Sequence, residues 1–164
     1  MEIFQIALIS STFLCSLVAG FLFAFALVVM PGIRRLDDRD FLKAFQVMDR
    51  VIQNNQPLFV FVWVGSIVTL VASVLLSIRH LDGTGSLLII LAAMFYLIGV
   101  QLPTMTINIP MNNRLQGVNI DDLDETTQRS ARQVFEPRWN LWNSIRTVFA
   151  SLASSLLIIL LFTI

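Results

Sequence analysis

Residues 3–30 run for 28 positions without one charged side chain. A helix crossing a bilayer needs about 20 apolar residues at ~1.5 Å each, so this stretch crosses with length to spare. It does not read as a cleaved signal peptide. No Lys or Arg precedes it, and it far exceeds the roughly 7–15 residues of a signal's apolar region. Two more uncharged stretches follow, 57–78 and 86–113, the latter holding Pro103 and Pro110. A last one begins at Trp139 and contains a single charge, Arg146. In lipid only helices and closed barrels satisfy their own backbone hydrogen bonds. The expected fold is therefore all-α: one integral membrane four-helix bundle over residues 1–164, with spans at about 3–30, 57–78, 86–109 and 139–162.

Composition removes the competing classes. Charged residues make up 13% of the chain, about half the usual share of a soluble domain. The 11 basic and 11 acidic side chains cancel, so there is no basic surplus to hold nucleic acid. The one cysteine, Cys15, and the one histidine, His80, exclude a disulfide framework, a cysteine metal site and a bis-histidine haem. No cofactor or metal is expected. The lipid bilayer is the expected partner, and an oligomer is compatible with the sequence.

The links between spans are unequal. Residues 31–56 carry Arg34, Arg35, Arg39, Lys43 and Arg50, and residues 114–138 carry Arg114, Arg129, Arg132 and Arg138. The short link, with Asp82 and Gly83, contributes only Arg79 beside His80. Nine basic residues against one put both long links in the cytoplasm of a multi-pass cell-membrane protein, with both termini outside. Each long link reads as an amphipathic surface helix, at about 37–54 and 121–136. Asp37 or Asp38 is suited to cap the first, whose Phe41, Phe45, Met48 and Ile52 recur at helical spacing. Asp121 is suited to cap the second, with Leu123, Ala131, Val134 and Phe135 as its apolar stripe. Such helices lie flat at the cytoplasmic interface or cap the bundle.

Small residues recur every fourth position: Thr12, Ser16, Gly20 and Ala24; Gly65, Thr69, Ser73 and Ser77; Thr147, Ser151 and Ser155. Fourfold spacing puts each set on one helix face, where backbones approach closely. Gly99 lies four residues before Pro103, where it eases the bend that a proline ring imposes on the carbonyl at i−4.

Polar residues gather at the cytoplasmic ends of the spans. Thr104, Asn108 and Asn112 follow at i, i+4 and i+8, sharing a face if the helix survives Pro110. Trp139, Trp142, Asn143 and Arg146 follow at i, i+3, i+4 and i+7. Arg146 lies about 10 Å along the axis from Trp139. A charge at that depth faces a bundle interior or wet cavity rather than lipid. Its expected partners are Asn108, Asn112, carbonyls near Pro110, or Glu136 reaching in. Individually, the tryptophans also suit an aromatic belt, the arginine a lipid phosphate and the asparagines helix caps. Their concentration at one depth points to a polar pocket.

The blocks Met30-Pro31-Gly32, Asn108-Ile109-Pro110-Met111-Asn112-Asn113 and Trp139-Asn140-Leu141-Trp142-Asn143-Ser144-Ile145-Arg146, with Phe135 before the last, resemble the anthrone-oxygenase-like family of four-span membrane proteins. The resemblance implies oxidation of a lipophilic aromatic ketone or hydroquinone by O2 with no recognised cofactor. That chemistry needs donors for a developing oxyanion, for which Arg146, Asn108 and Asn112 are the candidates. It also needs a flat platform and binding groups, for which Trp139, Trp142, Asn143 and Thr104 are the candidates. No base is evident: His80 is at the other end, and Glu136 is the nearest carboxylate but outside the span. The alternatives are a non-catalytic protein binding a lipophilic ligand or partner and, last, a small transporter, since no span carries a carboxylate for proton coupling.

Overall fold

A computed structural model describes residues 2–81 and 83–163. Asp82, part of the short link, lies outside the described residues. The chain is all-α, with no strand among the described residues. Four helices are long and apolar enough to cross a membrane: α1 (Ile3–Ile33), α3 (Pro57–Ser77), α4 (Gly83–Gln116) and α5 (Glu125–Leu161). Between α1 and α3 lies the amphipathic α2 (Asp38–Gln53). α1 packs on α3 and α5, α5 packs on α4, and α3 meets α4 over a shorter length. The sides turned outward are apolar, with Phe61 65% and Val68 59% exposed. Such surface is stable against hydrocarbon rather than water.

The first surface helix begins as its sequence suggests: Asp37 caps α2, accepting from the Asp40 N–H at 2.8 Å. The second differs. Asp124, not Asp121, is the cap, accepting from the Thr127 N–H at 2.7 Å. The helix it starts runs 37 residues without a break and includes the fourth span. Pro137 removes one N–H but does not end it. Phe135, Trp139 and Asn143 continue a buried stripe through that point, and Arg132 pairs with Glu136 one turn apart at 2.8 Å. Val134, counted in the apolar stripe, is exposed. Asp121 sits instead in a short 3-10 turn, Ile120–Asp122, where it accepts from Lys43 and Arg39 of α2. Those two cations hold its carboxyl below the usual aspartate range.

Two apolar clusters stack along the bundle. The larger fills the span region with Leu8, Leu22, Leu70, Tyr96, Val100 and Leu157. The smaller joins α2 to the helix ends through Met30, Phe41, Phe45, Leu115, Phe135 and Trp139. The small-residue seams are partly displaced from the expected faces. Gly20, Ala24, Ser151 and Ser155 face outward, while Ser11, Cys15, Ala150 and Ala153 are buried. Gly99 does more than ease a bend: a Cβ there would lie 2.3 Å from the Phe149 ring. Its absence lets α4 and α5 close together.

Candidate functional site

The site begins with three prolines. α1 and α4 contain three π-helical turns, Phe25–Val29, Leu97–Gln101 and Thr104–Asn108. Each ends two residues before a proline: Pro31, Pro103 and Pro110. A proline has no N–H to give and its ring crowds the carbonyl at i−4. A widened turn relieves that conflict by bonding one residue further back. The Met30, Leu102 and Ile109 N–H groups accordingly donate to the carbonyls of Phe25, Leu97 and Thr104. π-turns of this kind recur at functional sites. Here they leave α4 continuous through Pro110 and bury Gln101, Thr104 and Asn108.

A cavity of about 280 Å³ lies where the two apolar clusters meet. Phe21, Phe25, Phe45, Phe59, Trp63 and Trp139 supply aromatic walls. Trp139 lies 5.7 Å from the Phe25 ring and 5.2 Å from the Phe45 ring, and Trp63 stacks on Phe59 at 5.4 Å. Thr104, Asn108, Asn112, Asn143 and Arg146 all line the same space. Asn55, at φ 57°, turns the chain from α2 to α3 at its edge. The two spaced sets on α4 and α5 thus converge on one hollow. Trp142 is the exception: it is half-buried and does not line the cavity. It falls at the rim of the face that Trp139, Asn143 and Arg146 share.

Arg146 is only 4% exposed and meets no carboxylate among the described residues. Nη1 donates to Thr104 Oγ1 at 3.0 Å and Nη2 to Asn143 Oδ1 at 3.2 Å. Nε has no partner, and the guanidinium carbon lies 6.0 Å from the Trp139 ring centre. Of the expected partners, Glu136 and Asn112 are engaged elsewhere. Glu136 pairs with Arg132 and Arg34. Asn112 receives the Trp139 indole N–H at 3.0 Å and donates to Asp49 at 2.8 Å. Asn143 donates to the Leu22 carbonyl at 3.1 Å. Asn108 is the opposite case: it is 2% exposed and neither end of its amide has a partner. Gln101 likewise accepts from the Trp63 indole at 2.9 Å but leaves its amide nitrogen unpaired. Buried polar groups are almost always satisfied; Asn108 and Arg146 line the cavity with donors that are not.

Asp49 escapes the sequence reading. It is 5% exposed and lines the cavity. It accepts from Asn112 at 2.8 Å, Gln116 at 3.0 Å and Gln53 at 2.6 Å. The signal was present: Asp49 follows Phe45 by four residues and Leu42 by seven, on the buried stripe of α2. Counting only apolar residues at that spacing passes over it. No group of three or more His, Cys, Asp or Glu side chains is placed to hold a metal ion among the described residues.

Comparison with curated proteins and with solved structures gives no match. A family model described as anthrone oxygenase matches residues 45–156. That segment spans most of the chain and contains Asp49, Thr104, Asn108, Asn112, Trp139, Asn143 and Arg146. The chain belongs to the anthrone oxygenase family.

Proposed function

We propose that the cavity binds a flat, lipophilic aromatic ketone with an acidic methylene, of the anthrone type, and promotes its oxidation by O2. One observation carries this reading: donors without partners, Asn108 Nδ2 and Arg146 Nε, border a hollow walled by aromatic rings. Its volume approaches the roughly 300–1,000 Å³ typical of ligand pockets. Removing a methylene proton moves charge onto the ketone oxygen. Preorganised donors in a dry site stabilise that charge, and the rings hold the substrate plane. The enolate carbon bonds to O2, the abstracted proton ends on the peroxide, and loss of water leaves a second ketone. Per substrate, CH2 and O2 become C=O and H2O. Thr104 and Asn143 position the guanidinium, and Asn112 positions Trp139 rather than touching substrate.

Oxygen uptake by the purified protein with anthrone tests the reading. Wild type is expected to exceed empty detergent, and Arg146→Ala to fall by about a hundredfold, the usual effect of losing an oxyanion donor. Equal rates in all three overturn it. A non-catalytic ligand-binding role is the second reading. Saturable anthrone binding without oxygen uptake selects that role. We further propose that α2, the α4–α5 link and the first turns of α5 face the cytoplasm, from nine basic residues in 31–56 and 114–138 against one in the α3–α4 link. An Arg129→Cys variant is then expected to react with an impermeant maleimide only after cells are opened, and labelling of intact cells reverses the orientation.

A further inference from the structure

We infer that Asp49 is the proton acceptor of this site, an assignment that rests on the oxygenase reading. Among the residues lining the cavity it is the only carboxylate, and no histidine lines it. The other candidates are placed elsewhere. Glu136 is bound by Arg132 and Arg34. His80 stacks on Phe4, at the opposite end of the bundle.

The hydrogen bonds around Asp49 fix it without filling it. Oδ2 accepts from Gln53 and Gln116, and Oδ1 accepts from Asn112 alone. An ionised carboxyl offers about four lone-pair sites. Three are taken, so one remains, on Oδ1. The donors come from both α2 and α4, which holds the carboxylate in one orientation. A base held in place is what proton transfer at carbon requires, because transfer needs the acceptor within hydrogen-bond reach of the reacting group. Asn112 ties the arrangement to the aromatic wall: its amide nitrogen donates to Oδ1 and its oxygen receives the Trp139 indole N–H. The wall and the acceptor therefore keep one register.

In the step assigned to Asp49, a methylene C–H bond breaks heterolytically. The electron pair passes into the enolate, and the proton goes to Oδ1. After the enolate carbon has bonded to O2, that proton moves to the terminal peroxide oxygen, which restores the carboxylate. The remaining C–H proton then leaves to Oδ1 as the O–O bond breaks. The departing hydroxide takes it up as water.

Exchange of anthrone methylene protons for deuterium, followed by NMR under nitrogen with the full-length protein in detergent, isolates the first transfer from the oxygen chemistry. Wild type is expected to exchange faster than detergent alone. Asp49→Asn is expected to lose at least tenfold. Because its amide would face three N–H donors, Asp49→Ala and Asp49→Glu are run beside it, with thermal unfolding as the check on folding. Asp49→Ala is expected to recover exchange on addition of formate, and Asp49→Glu to retain exchange within about tenfold of wild type. A structural role does not produce rescue by a free carboxylate. Folded Asp49→Ala that exchanges at the wild-type rate overturns the assignment. If wild type still takes up oxygen in that case, the oxygenase reading stands without it; if wild type neither exchanges nor takes up oxygen, both fall.

Discussion

Asn108 is buried with both ends of its amide unpaired. Leaving a buried polar group unsatisfied costs about 1–3 kcal/mol per group. A side chain that only filled space at this position would do better as a hydrocarbon. Asn108→Phe is therefore expected to raise the unfolding temperature of the ligand-free protein, by roughly 1 kcal/mol or more in stability, since the ring has a cavity to enter and the orphan amide is gone. A lower unfolding temperature would show that the amide is satisfied after all. Thr104, Asn108, Trp139, Asn143 and Arg146 were legible in the sequence because amides and a guanidinium at helical spacing within an apolar run have few places to go. Asp49 and Asn112 were harder. The role of Asn112 depends on which residues meet its two ends, and those lie on α2 and α5, far away in sequence. Trp142 shows the limit of spacing arguments, because i+3 is the edge of a face rather than its centre.

At the scale of elements, the four spans were plain from charge-free length, but their internal geometry was not. Pro31, Pro103 and Pro110 announced disturbance without saying whether the helix would kink, stop or widen. The seams drift because each i+4 step turns about 40° past a full turn of a 3.6-residue helix, so Thr12 is buried while Gly20 and Ala24 face outward; the π turns carry α1 and α4 through their prolines unbroken. The fusion of the second surface helix with the fourth span has a similar origin. One proline is tolerated when side chains on both sides of it are buried on the same stripe. The link between surface elements carries its own pH dependence. Lys43 and Arg39 lower the folded-state pKa of Asp121, so its stabilisation is present above the ordinary aspartate value of about 3.9 and is lost as pH falls through the lowered folded value. Thermal unfolding between pH 6 and pH 3 is expected to show a smaller acid loss in Asp121→Asn than in wild type. An equal loss would mean that this contact does not report on the docking of the Ile120–Asp122 turn.

The whole molecule places a polar pocket at the junction of two apolar clusters, one within the spans and one beneath α2. That position suits a ligand that partitions into lipid but reacts at a polar group. In the proposed reading, its rings meet the aromatic walls and its oxygen meets Asn108 and Arg146. Residues from α1, α2, α3, α4 and α5 all contribute to the lining, so the site exists only in the assembled bundle. The most direct test is titration of the protein with anthraquinone, a flat aromatic ketone, followed by quenching of tryptophan emission from Trp63 and Trp139. Saturable quenching is expected in wild type and its loss in folded Asn108→Phe, whose ring occupies the cavity. Identical quenching in the two proteins would place the ligand elsewhere and contradict the account.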